Sequence, residues 1–132
     1  MKKLLSILCI AVVVFTASSC KKETVVAPNN NVTIVKTVRS SDWAVYNSTS
    51  NTVDLNIPEL DEYTNEHGAV LVYIAFGDNA PWEQVPEVFD GSAYSFTHNT
   101  GHVTLYVQNA SGTGTPIIPD QAYVKIVLVD SN

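Results

Sequence analysis

Between positions 32 and 129 apolar and polar residues alternate with a period of two, and turn residues break the alternation roughly every eight to twelve positions. The clearest case is Thr52-Val53-Asp54-Leu55-Asn56-Ile57, where Val53, Leu55 and Ile57 point one way and the polar residues the other. That is the signature of a strand with one face in a core and one in water. Similar segments span 32–38, 42–46, 92–97 and 102–108, with 82–86 extended and ending at Pro86. Residues 98–101, including Gly101, connect 92–97 to 102–108 as a hairpin. The runs 69–76 and 121–129 are apolar on both faces, apart from Tyr123 and Lys125, which predicts central strands covered on both sides. Only 58–66 has helical character: Glu59, Asp61 and Glu62 near its start complement a helix dipole, and Leu60 and Tyr63, three apart, are placed to lid a core.

About seven or eight strands with mostly short connections predict an all-β fold, a β-sandwich of two antiparallel sheets. A small closed β-barrel satisfies the same strand count. The expected core is Ile34, Trp43, Val45, Leu55, Ile57, Val70, Val72, Ile74, Phe96, Val103, Leu105, Val107, Ile126 and Leu128. The longest loop is 109–120, with Gly112, Gly114, Pro116 and Pro119.

The N-terminus follows a different pattern. Lys2-Lys3 precedes an apolar run over 4–15 broken only by Ser6, and Thr16-Ala17-Ser18-Ser19 leads to Cys20. This is the layout of a secretory signal. The apolar run is about 12 residues, short of the roughly 20 that a helix needs to span a bilayer. Small residues before Cys20 resemble a relaxed bacterial lipobox, with Ala17 where Leu is usual. Cys20 would then become the first residue and carry a diacylglycerol thioether and an amide-linked chain, enough for stable anchoring. The alternative is an ordinary signal peptide cut near Ala17 with Cys20 as a stray thiol. The expected organisation is a lipoprotein signal peptide over 1–19, acylated Cys20 and a flexible tether over 20–31, and a single domain over 32–132.

Composition narrows the function. The 132 residues are 45% apolar and 15% charged, enough for one small packed domain. Lys and Arg number 7 against 13 Asp and Glu, a net charge of −6. An acidic surface lacks the clustered cations that displace phosphate counterions, so no nucleic acid partner is expected. The only cysteines are Cys9 and Cys20, so the domain has no disulfide, no thiolate zinc site and no thiol nucleophile.

A tether after the lipobox, a Trp43 strand, the Ile57-Pro58 turn, the block Gly68-Ala69-Val70-Leu71-Val72-Tyr73, Trp82 with Val85-Pro86, and a closing Tyr123-Val124-Lys125-Ile126-Val127 follow in order. Together they resemble a group of short uncharacterised Bacteroidota lipoproteins. The resemblance implies an outer-membrane lipoprotein, surface-exposed or facing the periplasm, built on a small all-β domain, and it implies no reaction. The single acid Glu23 after Lys21-Lys22 resembles the signal that sends such proteins to the cell surface.

Candidate chemistry is sparse. His67, His98 and His102 sit near turns, and the spacing of His98 and His102 imitates a metal pair without further His or Cys ligands, so no metal or other cofactor is expected. Glu59, Asp61, Glu62 and Glu66 are the only carboxylate cluster on which a small hydrolase could be built, and helix-start electrostatics explain them more simply. Asp78 and Asn79 are oxygen donors in a turn, which is ordinary Asx chemistry. Ser92 follows Gly91 with no partner that the sequence identifies, and there is no Gly-rich phosphate loop or nucleophile elbow, so no catalytic residue is assigned.

The aromatic residues offer more. Trp82 stands at a strand entrance beside Glu83 and Gln84, and Tyr106 lies on a polar face with His102, Thr104 and Gln108. Trp82, Tyr106 and Gln108 are the candidate ligand-binding residues, since an exposed ring beside amide or acid groups can stack on a sugar or anchor a protein. The competing reading of Trp82 is a lid over the end of the core. The expected function is a lipid-anchored envelope protein with a binding or assembly role, its partner a surface glycan or envelope protein. A glycan-binding module and a small hydrolase are the alternatives.

Overall fold

The computed structural model describes residues 29–131, so the leader, Cys20 and most of the tether lie outside the described residues. Nine strands follow in order: β1 Val32–Arg39, β2 Ala44–Asn47, β3 Ser50–Asn56, β4 Ala69–Ala75, β5 Glu83–Gln84, β6 Glu87–Phe89, β7 Ser92–Asn99, β8 His102–Asn109 and β9 Gln121–Val129. One sheet has the order β1-β9-β4-β5 and the other β2-β3-β8-β7-β6, all pairs antiparallel. The sheets do not close on each other, so the fold is a sandwich and the barrel alternative falls away. No helix among the described residues is long and apolar enough to cross a membrane.

The alternation read from the sequence decides which side chains meet between the sheets. Val53 and Leu55 of β3 pair in register with Leu105 and Val103 of β8, and on the facing sheet Val70, Val72 and Ile74 of β4 pair with Leu128, Ile126 and Val124 of β9. All ten are buried in one cluster. The expected core holds with three changes. Ile34 and Phe96 are only partly buried, and Val45 is 78% exposed. Val45 sits on an edge strand of four residues in which every position is exposed. Core positions that the expectation omitted include Val38, Val85, Tyr94, Ala122 and Val124.

The two doubly apolar runs are corrected as well. In β9 only Ala122, Val124, Ile126 and Leu128 are buried, and in β4 the alternate residues Leu71 and Tyr73 are part-exposed. Among the described residues no second layer covers that face; Lys125 lies on it instead, with its Nζ 4.7 Å from the Tyr73 ring centre and 4.6 Å from that of Trp82. The ammonium and the rings shield one another there, a cation–π arrangement that stands in for burial.

The helix is shorter than expected. α1 spans Glu62–His67, and Asp61 is its N-cap, accepting from the Thr64 N–H at 2.7 Å. That hydrogen bond holds the Asp61 carboxyl below its ordinary range. Leu60 is sealed in the core as expected, whereas Tyr63 is exposed and stacks on His67. The β7–β8 hairpin is tighter than expected: Asn99 pairs with His102, leaving only Thr100 and Gly101 in the turn. Gly101 adopts φ 81° and ties the turn down, its N–H donating to Leu60 at 2.7 Å and its carbonyl accepting from Ile57 at 2.8 Å.

The chain enters at this same pole. The Asn30 side chain donates to Asp130 at 3.1 Å, and the Asp130 N–H donates to the Asn31 side chain at 3.0 Å. From there β1 runs the length of β9 without a register break, from Val32 opposite Leu128 to Arg39 opposite Gln121. At about 3.3 Å per residue the ladder carries the chain about 25 Å to the far pole.

Candidate functional site

A cleft of about 250 Å³ opens at that far pole, between the two sheets and the loop that precedes β9. Each wall has a local cause. β4 leaves the core through Phe76, and β6 ends on Phe89 before the turn Asp90-Gly91, where φ is 46° and 77°. An Asp-Gly pair suits this left-handed turn, and it places Phe89 and Asp90 together at the rim. Phe76 and Phe89 stack at 4.2 Å with 8° between planes, and Phe76 meets Tyr94 at 5.2 Å and 53°. The third wall is Ile117, Pro119, Asp120 and Gln121.

This wall, irregular up to the start of β9 at Gln121, is pinned at two points. The buried Ser92 hydroxyl donates to the Ile117 carbonyl at 3.2 Å, and the Ser40 N–H donates to Asp120 at 3.0 Å. Burial pushes the Tyr94 hydroxyl up to about 12, opposed by a hydrogen bond with Ser92 and assisted by the charges of Glu87 and Asp90, so it stays protonated. Beside the cleft Tyr123 donates to Asp78 at 2.5 Å while accepting from the Gln121 amide at 2.7 Å. The Asp78 bond raises the Tyr123 hydroxyl above its ordinary range. Aromatic residues and the acidic residues Asp90 and Asp120 thus line the same cleft. Among the described residues none of the lining is cationic.

The three residues singled out from sequence do not share this cleft. Trp82 is 41% exposed over Lys125 on the outer face of the four-stranded sheet, so it is not a lid on the core. Tyr106 belongs to the opposite outer face, edge-on to Tyr46 at 5.4 Å. Gln108 lies two residues further along β8 and lines a groove of about 370 Å³ with Pro86, Glu87, Val88 and Tyr94. In that groove burial, and then the charge and hydrogen bond of Glu83, push the Glu87 carboxyl up to about 7. Its Oε1 is buried without a partner among the described residues.

The remaining candidates are occupied structurally. His102 Nδ1 lies 2.8 Å from Asp54, which also accepts from Thr104 at 3.0 Å, and His98 Nδ1 lies 2.8 Å from Asn65. Among the described residues no three His, Cys, Asp or Glu are grouped to hold a metal ion. Asp61 is engaged as the helix cap, and Cys20 lies outside the described residues. Phe76, Phe89, Tyr94, Asp90, Asp120 and Gln121 were not singled out for binding. The one local signal was Phe89, a large apolar residue directly before an Asp-Gly turn.

Comparison with protein-family models, curated proteins and solved structures finds no match to this chain.

Proposed function

We propose that this protein is a lipid-anchored binding module of the bacterial cell envelope, held by acylated Cys20 and presenting the far-pole cleft to its partner. The observation that carries the reading is the separation of the poles. The tether enters beside Asp130, and an unbroken eight-residue strand carries the chain about 25 Å to the cleft. An anchor on Cys20 therefore attaches at the pole opposite the cleft, about 25 Å from it along β1. Binding rather than reaction is favoured because the cleft joins aromatic residues to acidic ones, while its one serine, Ser92, is buried and donates to a carbonyl and its tyrosine, Tyr94, is held protonated. A glycan-binding reading through Trp82 has less support, since Lys125 already occupies a face of that ring.

The test compares the full-length protein with Cys20→Ala in a Bacteroidota host, by membrane fractionation and by protease treatment of intact cells. The expected outcome is wild type in the outer membrane and Cys20→Ala released or unprocessed. Protease sensitivity of wild type places its partner outside the cell, and protection places it in the periplasm. Equal solubility of both versions refutes the anchor.

A further inference from the structure

Resting on the reading of the far-pole cleft as a binding site, we propose that it receives a basic side chain, arginine before lysine, of a protein partner. Size is the first argument. At about 250 Å³ the cleft is smaller than the roughly 300–1,000 Å³ that buries a drug-sized molecule, so it fits one residue-sized group.

Chemistry is the second. Phe89 is covered on one side by Phe76 yet is 40% exposed, which leaves aromatic surface open to a flat group. Asp90 and Asp120 line the same space, and among the described residues no Lys, Arg or His does. A guanidinium stacks on a ring face while its N–H groups fork onto carboxylates, and an ammonium does the first without the planar match. Of the other polar side chains, Ser92 donates to Ile117, the Gln121 amide donates to Tyr123, and the Tyr94 hydroxyl is hydrogen-bonded with Ser92. What remains for an incoming group is acceptors and a ring face, the complement of a cation with several donors.

Charge complementarity is the third. Residues 29–131 contain only Lys36, Arg39 and Lys125 as Lys or Arg, against twelve Asp and Glu, so the field of the domain draws cations. The fold already seats a cation on aromatic faces once, where Lys125 lies 4.6 Å from the Trp82 ring centre. That lysine belongs to a different face, which leaves the cleft for a residue from elsewhere.

The test uses the 15N-labelled full chain in detergent, titrated with an alternating Gly-Arg peptide, its neutral Gly-citrulline twin, the Gly-Lys peptide and cellohexaose. The expected result is that Gly-Arg moves the amide signals of Phe89, Asp90, Tyr94 and Gln121, with Gly-Lys weaker and Gly-citrulline about tenfold weaker or more. Phe89→Ala, and separately Asp90→Asn with Asp120→Asn, should each weaken Gly-Arg about tenfold while the remaining signals keep their dispersion. Asn tolerates the left-handed φ of 46° at position 90, which protects the fold of the second variant. Equal binding of the citrulline peptide overturns the proposal, as do Gly-Arg shifts confined to Glu59, Glu62 and Glu66. Cleft shifts from cellohexaose with the peptides silent overturn the cationic ligand but leave the cleft as the binding site. No cleft shift from any probe overturns both.

Discussion

Gly68 joins α1 to β4, and nothing larger fits there. A Cβ at this position would stand 2.5 Å from the Val129 carbonyl oxygen and 2.8 Å from that of Thr64, with the Thr64 methyl at 3.1 Å. Neither carbonyl can rotate aside as a side chain would. The Thr64 oxygen accepts the Gly68 N–H at 3.0 Å, and Val129 is the last residue of the β4–β9 ladder, opposite Ala69. In Gly68→Ala the helix end must therefore lift from the sheet. Overpacking costs about 1–3 kcal/mol and a stretched hydrogen bond about 1 kcal/mol, against about 0.4–1 kcal/mol gained from a stiffer unfolded chain. The net is a loss of about 2 kcal/mol, or a melting temperature lower by roughly 10 °C in a domain of this size. Urea unfolding followed by far-UV circular dichroism measures it. The loss should persist in a Thr64→Ser background, because the contacts that matter are to carbonyls and not to the methyl. A loss under about 0.5 kcal/mol in either background refutes the steric reading.

Leu60→Ala should cost about 2–5 kcal/mol by the same assay, since Leu60 is fully buried. Val45→Asn should stay within about 0.5 kcal/mol, because Val45 is exposed; a loss above about 1.5 kcal/mol would mean that β2 is covered in solution. Glu87 makes stability depend on pH. Its carboxyl is raised from 4.5 to about 7, so the folded chain keeps a proton that the unfolded chain releases. The stability this contributes is complete below about pH 4.5 and is lost as pH rises through 7. Glu87→Gln should flatten the decline between about pH 5 and 8 by on the order of 1 kcal/mol, after allowing for solvent around a partly exposed group. Parallel pH profiles of wild type and variant would refute it.

Much of the fold was legible because alternation is a local property. The faces of β3 and β8 could be assigned from sequence, since Val53, Leu55, Val103, Leu105 and Val107 each alternate with polar residues or with Tyr106. Where the facing layer decides the outcome, the pattern was silent. Val45 has the same spacing whether or not anything covers it, and on this edge strand none of the described residues does. The outer residues of β4 and β9 read as buried because they are apolar, yet Lys125, Tyr73 and Trp82 cover part of that face without a second layer. Residues 82–86 read as one segment, but the chain changes sheets at Val85-Pro86, leaving β5 on β4 and placing β6 on β7. The cleft was hidden for the same reason. Phe76, Phe89 and Ile117 lie far apart in sequence, and only the packed sheets bring them together.

The binding reading depends on how firmly the cleft is held relative to the tether. Eight consecutive β1–β9 pairs, from Val32 with Leu128 to Arg39 with Gln121, form a ladder with no register shift. Its first residue follows the tether, and Gln121 at its other end lines the cleft. Bending between the poles would break ladder hydrogen bonds worth about 1 kcal/mol each, so the two ends orient as one body. The irregular wall is held to the same body: Asp120 accepts from Ser40, just beyond β1, and Ile117 accepts from Ser92 at the start of β7. A wall ordered before a partner arrives does not charge its ordering entropy to binding. Ser92→Ala should thus weaken binding of the Gly-Arg peptide and speed hydrogen exchange at the amides of Ile117, Ile118 and Asp120, and unchanged exchange there would refute the pinning role of Ser92.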